Sequence, residues 1–369
     1  MVSAARFGPV SSNPVVENVV PGQRYPRQVL ETFALELMHA AGVDDAQAET
    51  LTENLLWNDA AGRANHGLER LEILLRRVHA GLIQCPAPIR FQRLGPSAAH
   101  LDAGHGLGQH AGRLGIDHAI EMAGEAGLAG ITVNASNFFG TGAYFVARAV
   151  DAGMIGLAFS NSFPKVAAHN GLRPILGTNP LAFGAPLGTD RRLLVDMSTA
   201  ALAGSTLRTY QTEAKAMPAG LAIDETGVPV TDPAQASSST LLPAAGPKGF
   251  GLGLMVELLA GVLTGAGMSS GVGSLYKDFD RKADNGHFFL VIDIARFMPA
   301  DMWQERAEWL AHEILSSAAA GDVRLPGDRL EQSLKDSLVN GIPLSPKIVA
   351  SLTRMSKEYG LSPPDVLSD

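Results

Sequence analysis

Between residues 26 and 79 apolar side chains recur at helical spacing. Val29, Phe33, Leu37 and Ala40 mark one stripe, and Leu51, Leu55 and Ala60 mark a second. Gly42 followed by Asp44 supplies a helix-ending glycine and then an N-capping carboxylate, so the pattern predicts two helices joined by a tight turn. After Gly81 the period changes. Short extended runs are predicted at 89–92, 98–102, 130–134, 154–159, 181–184 and 193–195, with helical patterns after Ala111 to about 125 and from 143 to 152. Asp196-Met197-Ser198-Thr199 reads as a helix opening, Asp224-Glu225-Thr226-Gly227 as a hairpin-like turn, and 249–266 as an apolar helix. A buried strand at 287–293, a helix at 301–317 and a last helix at 345–359 complete the pattern. It predicts an α/β (α+β) fold in three parts. Residues 1–25 form a loose extension, 26–85 with 300–369 a helical domain, and 86–299 a domain built on a sheet.

Composition narrows the function classes. The 369 residues are 46% hydrophobic and 18% charged with 40 glycines, which suits a glycine-rich globular enzyme and excludes a disordered or fibrous chain. A net charge of −8 argues against a nucleic-acid or anionic-membrane partner, which needs a basic face. Cys85 is the single cysteine, so a disulfide within the chain and a cysteine metal cluster are excluded; this fits a cytoplasmic protein, and no metal site is expected. No run approaches the ~20 uninterrupted apolar residues that a spanning helix needs.

The segment Asn65-His66-Gly67-Leu68-Glu69-Arg70 carries the sharpest candidate chemistry. If it is helical, His66 and Arg70 project from one face: a group that trades a proton near neutral pH beside a fork that grips a carboxylate. His39 and His79 have no acidic or histidine partner at ligand spacing and read as helix-surface residues. Gly106-Leu107-Gly108-Gln109-His110-Ala111 fits a relaxed dinucleotide fingerprint, with Glu125 near the position of a ribose partner, but its preceding strand is short. Three strand ends or turns run into small polar residues, at 134–142, 160–162 and 177–179, where exposed backbone amides could receive phosphates or riboses. Lys248, among glycines before an apolar helix, could neutralise a phosphate, and Glu257 inside that helix should be paired or line a cavity.

The order of these motifs resembles the malate/L-lactate dehydrogenase family, which lacks a Rossmann fold. Its relatives include ureidoglycolate, sulfolactate and diketogulonate oxidoreductases and reductases of piperideine- and pyrroline-2-carboxylate. The resemblance runs over residues 27–330, through His66-Gly67 with Arg70, Ser136-Asn137-x-Phe139-Gly140, Gly177-Thr178-Asn179-Pro180, Asp196-Met197-Ser198-Thr199, Thr231-Asp232-Pro233, Leu242-Pro243-x-x-Gly246-x-Lys248-Gly249 and Pro326-Gly327. It implies an oxidoreductase using NAD or NADP to reduce a 2-oxo acid or a cyclic 2-imino acid, usually a homodimer, with a largely antiparallel or mixed nucleotide-binding sheet. The Rossmann reading is thereby displaced. On the resemblance, His66 is the proton donor and Arg70 the carboxylate clamp. The cofactor would be held by Ser136, Gly140, Thr178, Asn179, Asp196, Ser198, Thr199, Pro243, Lys248 and Gly249.

Three positions depart from the family's pattern. Asn65 stands where a serine is common, Leu74 where a tyrosine is often found, and Phe138 where a second histidine is usual. These exchanges remove three polar groups from what should be one substrate pocket. They tilt the expectation toward a bulky, apolar 2-oxo or 2-imino acid, because a hydroxyl-rich substrate would leave hydrogen bonds unmade. The runner-up is a cyclic imine or N-methyl amino acid reductase as against a 2-hydroxy-acid dehydrogenase. A non-catalytic dinucleotide-binding protein is a further alternative, against which the retained His66 and Arg70 weigh.

Overall fold

The computed structural model describes residues 22–188, 190–236, 238–318 and 323–366. The chain enters through β1 (Gln23–Tyr25), α1 (Arg27–Ala40) and α2 (Asp45–Ala60), two 3-10 turns at Ala64–His66 and Leu68–Arg70, and α3 (Leu71–His79). The sheet region follows with β2 (Arg90–Arg93), β3 (Ala98–Asp102), α4 (Gly108–Ala126), β4 (Leu128–Ser136), α5 (Gly142–Asp151) and β5 (Ile155–Ser160). Next come β6 (Val166–Ala167), β7 (Pro174–Leu176), β8 (Leu181–Pro186), β9 (Arg192–Met197), α6 (Gly204–Thr212), β10 (Ala222–Ile223) and β11 (Thr240–Leu241). The chain ends with α7 (Pro247–Glu257), β12 (Asn285–Ile292), α8 (Ala300–Leu315), α9 (Asp328–Asn340), β13 (Ile342–Leu344) and α10 (Pro346–Tyr359).

A seven-stranded sheet runs in the order β2-β3-β4-β12-β5-β8-β9. Only β3 and β4 pair in parallel, through the crossover α4, and every other neighbour is antiparallel. The expected mixed, mostly antiparallel sheet is therefore present, and a doubly wound parallel sheet is not. β12 is the central strand: His287, Phe289 and Val291 are buried along it at every second position, as a two-residue period requires. Phe289 joins Val133, Ile131 and Phe145 in the core under α4 and α5. Gly156 of β5 and Gly184 of β8 lie opposite each other. A Cβ at Gly156 would fall 2.7 Å from Ala149 Cβ, so the missing side chains let α5 settle onto the sheet.

The second core is helical. Leu30, Leu37, Leu55, Leu71 and Leu75 pack with Ile348, Leu352 and Met355 of α10, joining the two ends of the chain. Burying each such side chain contributes about 1.5–3 kcal/mol. Asp44 caps α2 as expected, its carboxylate accepting the Gln47 N–H at 3.2 Å. β1 pairs with β13, so Gln23–Tyr25, at the end of the expected loose extension, form a strand; residues 1–21 lie outside the described residues. α8 sits apart from this helical core, against the sheet, where Trp303 Nε1 donates to Pro186 O at 3.0 Å. A small four-stranded sheet, β10-β11-β6-β7, carries its own cluster around Leu176, Leu202 and Leu241.

Two local expectations give way. Residues 198–203 do not open a helix, because Ser198 Oγ donates to Thr178 O and accepts the Ala200 N–H, which fixes a turn; α6 starts only at Gly204. The segment around His66 is not continuous helix either. Gly67 is extended, with φ −90° and ψ −146°, and it separates the two 3-10 turns.

Candidate active site

His66 and Arg70 nevertheless reach one cavity of about 320 Å³, within the roughly 300–1,000 Å³ of small-molecule sites. What brings them together is Asp59. Its Oδ2 accepts the Leu68 N–H at 2.7 Å, and a Cβ on Gly67 would fall 2.2 Å from its Oδ1, so only glycine lets the chain cross this carboxylate. Asp59 is 2% exposed, and burial pushes its pKa up to about 8; the Leu68 N–H opposes the rise and Glu69 adds to it.

The His66 ring stacks on Phe138, centroids 5.8 Å apart and planes at 20°. Arg70 is 7% exposed and is held three ways. Its Nε donates to Asn65 O at 2.6 Å, its Nη2 lies 3.9 Å from Glu69, and its guanidinium lies 5.5 Å from the centre of the Tyr276 ring. With Nε engaged, the terminal nitrogens are the groups left to meet a carboxylate.

The opposite wall comes from the sheet. Phe138, Phe139, Gly140 and Thr141 line the cavity in the turn before α5, and the Thr141 hydroxyl donates to Asn58 Oδ1 at 2.6 Å, strapping that turn to α2. Asp196, Met197 and Ser198 line it from the end of β9, and Thr178 from the end of β7's loop. Asp196 Oδ2 accepts the Ala143 N–H at the start of α5 at 3.2 Å; burial raises its pKa, while that N–H and the nearby Arg63 hold it down.

Of the residues expected from the sequence, Asn65, His66, Arg70, Phe138, Gly140, Thr178, Asp196 and Ser198 line the cavity. The others lie behind it. Leu74 is fully buried in the helical core and takes no part in the pocket, because α3 turns that face toward the packed leucines. Ser136 is buried and bonds His287 Nε2 at 2.8 Å. Asn179, at φ +36°, gives its amide to Gly253 O and to Glu257 Oε2 at 2.7 Å, which also accounts for the expected pairing of Glu257. Thr199 donates to the carbonyls of Thr178 and Asn179. Pro243 bridges to Ala200, Gly249 packs on Ala244 O, and Lys248 is exposed at the start of α7; none of the three lines the cavity. The glycines at 104–108 are a backrest rather than a nucleotide loop: Asn137 Nδ2 donates to His105 O and Gly106 O, and a Cβ on Gly108 would fall 2.1 Å from Asn137 O. Glu125 pairs with Arg93.

Sequence reading missed Arg63, Phe163, Lys165, Tyr276 and Asn285, which also line the cavity, and His287 behind it. His287 is fully buried between Ser136 and Ser160, whose hydroxyls lie 2.8 and 2.9 Å from its ring nitrogens, and it stacks on Phe139 at 4.6 Å and 6°. Burial drives its pKa down to about 3, so the ring is neutral. The advance signals for His287 were its place in the expected buried strand 287–293 and the small polar run Ser160-Asn161-Ser162.

His66 and Arg70, facing hydroxyls, a carboxylate and the start of a helix, make a donor set that fits a nicotinamide dinucleotide. The family profile described as malate/L-lactate dehydrogenase matches residues 25–353, and the chain belongs to that family of NAD(P)-dependent 2-hydroxy-acid dehydrogenases. Among its relatives, (2R)-3-sulfolactate dehydrogenase (NADP(+)) of Chromohalobacter salexigens is 35% identical over 81% of this chain and 88% of that protein. Ureidoglycolate dehydrogenase (NAD(+)) of Escherichia coli is 32% identical over 86% of this chain and 91% of that protein. The structure of Δ1-piperideine-2-carboxylate reductase from Pseudomonas syringae superposes with a TM-score of 0.83 at 27% identity, covering 90% of this chain and 99% of that one. The protein is thus an oxidoreductase whose relatives use NAD or NADP. No helix among the described residues is long and apolar enough to cross a membrane, and no group of three or more His, Cys, Asp or Glu among them is placed to hold a metal ion.

Proposed function

We propose that this protein reduces a 2-oxo acid, with His66 delivering the proton and Arg70 holding the substrate carboxylate. The observation that carries this reading is the convergence of His66 and Arg70 on one cavity with Thr178, Asp196 and Ser198 across from them. A bound nicotinamide would supply the hydride to the carbonyl carbon. The chain's own groups do the rest. An imidazole nitrogen of His66 protonates the developing alkoxide, Arg70 fixes the acid end, Phe138 keeps the imidazole ring from turning, and the aromatic walls exclude water. Thr178, Asp196, Ser198 and Gly140 are the cavity residues suited to hold the cofactor. Asp196 offers an acceptor for ribose hydroxyls, and Asn179 and Thr199 act from behind by holding Thr178.

Reduction of a cyclic 2-imino acid is a second reading, favoured by the likeness to the piperideine-2-carboxylate reductase structure; the same proton would then go to the ring nitrogen. A homodimer is supported by the exposed apolar face of α7 and the turn after it, where Leu252, Leu254, Met255, Leu258, Val262 and Leu263 are 37–58% exposed. The division into a helical domain (26–85 with 300–369) and a sheet domain (86–299) is part of the same proposal, with α8 lying against the sheet, and so is cytoplasmic action. Oxidation of NADH and of NADPH is to be followed with a panel of 2-oxo acids and cyclic imines. Turnover of a 2-oxo acid supports the first reading, turnover of imines alone the second, and no turnover with either contradicts both.

A further inference from the structure

The cavity's charges do not cancel. Among the described residues three cations line it, Arg63, Arg70 and Lys165, against one carboxylate, Asp196. Arg63 acts on Asp196, and Arg70 lies 3.9 Å from Glu69. Lys165 is left over. Besides burial, the charge acting on it is that of another cation, Lys277, and together they push its pKa down. Its backbone is pinned at both ends, its N–H to Leu176 O and its C=O to the Leu241 N–H, so Lys165 lines the cavity from a fixed root. A cation held in a half-enclosed site beside a like charge is costly unless a ligand brings the counter-charge.

Aromatic contacts place this lysine's loop at the Arg70 end. Arg70 lies 5.5 Å from the centre of the Tyr276 ring, and Tyr276 meets Phe163, two residues before Lys165, edge-on at 6.4 Å. We propose that Lys165 is a specificity-determining residue that receives a second anionic group, a carboxylate or sulfonate, on a 2-oxo acid whose first carboxylate is held by Arg70. This rests on the 2-oxo acid reading above and turns the substrate away from the purely apolar acids that Asn65 and Phe138 suggest. An apolar tail would meet the aromatic walls but leave Lys165 with no counter-charge.

Wild type, K165M and K165R are to be compared with a dianionic 2-oxo acid such as oxaloacetate or sulfopyruvate and a monoanionic one such as 2-oxobutanoate. NADH and NADPH affinities are read in parallel by nicotinamide fluorescence. In K165M the KM for the dianion should rise about tenfold or more relative to any rise for the monoanion, and K165R should recover most of it. Equal changes for the two acids, or none, overturn the proposal. So does a loss of cofactor affinity as large as the change in dianion KM, which would assign the cation to a cofactor phosphate. If the wild type turns over no 2-oxo acid, the reduction reading fails, and Lys165 is then read by binding alone. Dianion binding to the NADH complex should be weakened selectively in K165M, and equal binding to wild type and K165M overturns the proposal.

Discussion

Asp59 reaches under the two turns that carry His66 and Arg70 to accept the Leu68 N–H at 2.7 Å. Its folded pKa of about 8 stands above the ordinary 3.8. A carboxyl raised in the folded state contributes stability that is whole below its unfolded pKa and fades as pH rises through the folded value. Asp59 therefore weakens the fold progressively from about pH 4 to about pH 8. Asp59→Asn keeps an oxygen for Leu68 and cannot ionise. In urea unfolding at several pH values, the stability difference between the variant and wild type should move in favour of the variant by at least about 1 kcal/mol as pH rises across that window. A difference independent of pH contradicts the role of the buried charge.

Gly67→Ala places a Cβ 2.2 Å from Asp59 Oδ1, so the carboxylate or the turn must shift. Because His66 and Arg70 flank this residue, kcat/KM should fall by roughly a hundredfold while NADH affinity changes little. Steady-state kinetics with a fluorescence titration checks both halves.

His287 has the opposite pH signature. Its pKa is lowered from 6.5 to about 3, so its stabilising contribution is present above the unfolded value and is lost as pH falls toward the folded one. His287→Gln should cost about 1–3 kcal/mol at pH 7 through the hydrogen bonds to Ser136 and Ser160, and the gap to wild type should narrow between about pH 6.5 and 4. Denaturation curves at pH 7 and pH 4 measure it; a constant gap would show that protonation of this ring does not matter.

Much of this molecule was legible in its residues, and the reasons for the failures are local. The continuous apolar run at 287–293 gave the central strand because both of its neighbours are sheet strands, and 98–102 matched β3 residue for residue. α9 was not foreseen: its sequence is mostly polar, and Leu338 and Val339 are 85% and 80% exposed, so no clean apolar stripe shows. At the site, His66 and Arg70 carried their own signal, although the helix invoked to unite them does not exist and a buried aspartate does that work instead. Lys165 and Tyr276 could not be read in advance, because they sit in loops without periodicity and meet the cavity only through tertiary packing. Leu74 was misplaced because spacing from Arg70 alone does not reveal that α3 turns that face inward.

Glu257 and Asn179 provide a test of the supporting layer. Glu257 bonds Asn179 Nδ2 at 2.7 Å and the Ser269 N–H at 2.9 Å, and Asn179 follows Thr178 in the cavity wall. Glu257→Ala should lower stability by about 1–3 kcal/mol and weaken NADH binding severalfold by releasing Thr178. Lost stability with unchanged NADH affinity would confine the pair to folding.

Proton supply by His66 is tested most directly by the rate of NADH oxidation in His66→Ala, at saturating cofactor, with the best 2-oxo acid found for the wild type. The rate should fall by roughly 10²–10⁴ while NADH affinity stays within about twofold. A variant that turns over at the wild-type rate would contradict it.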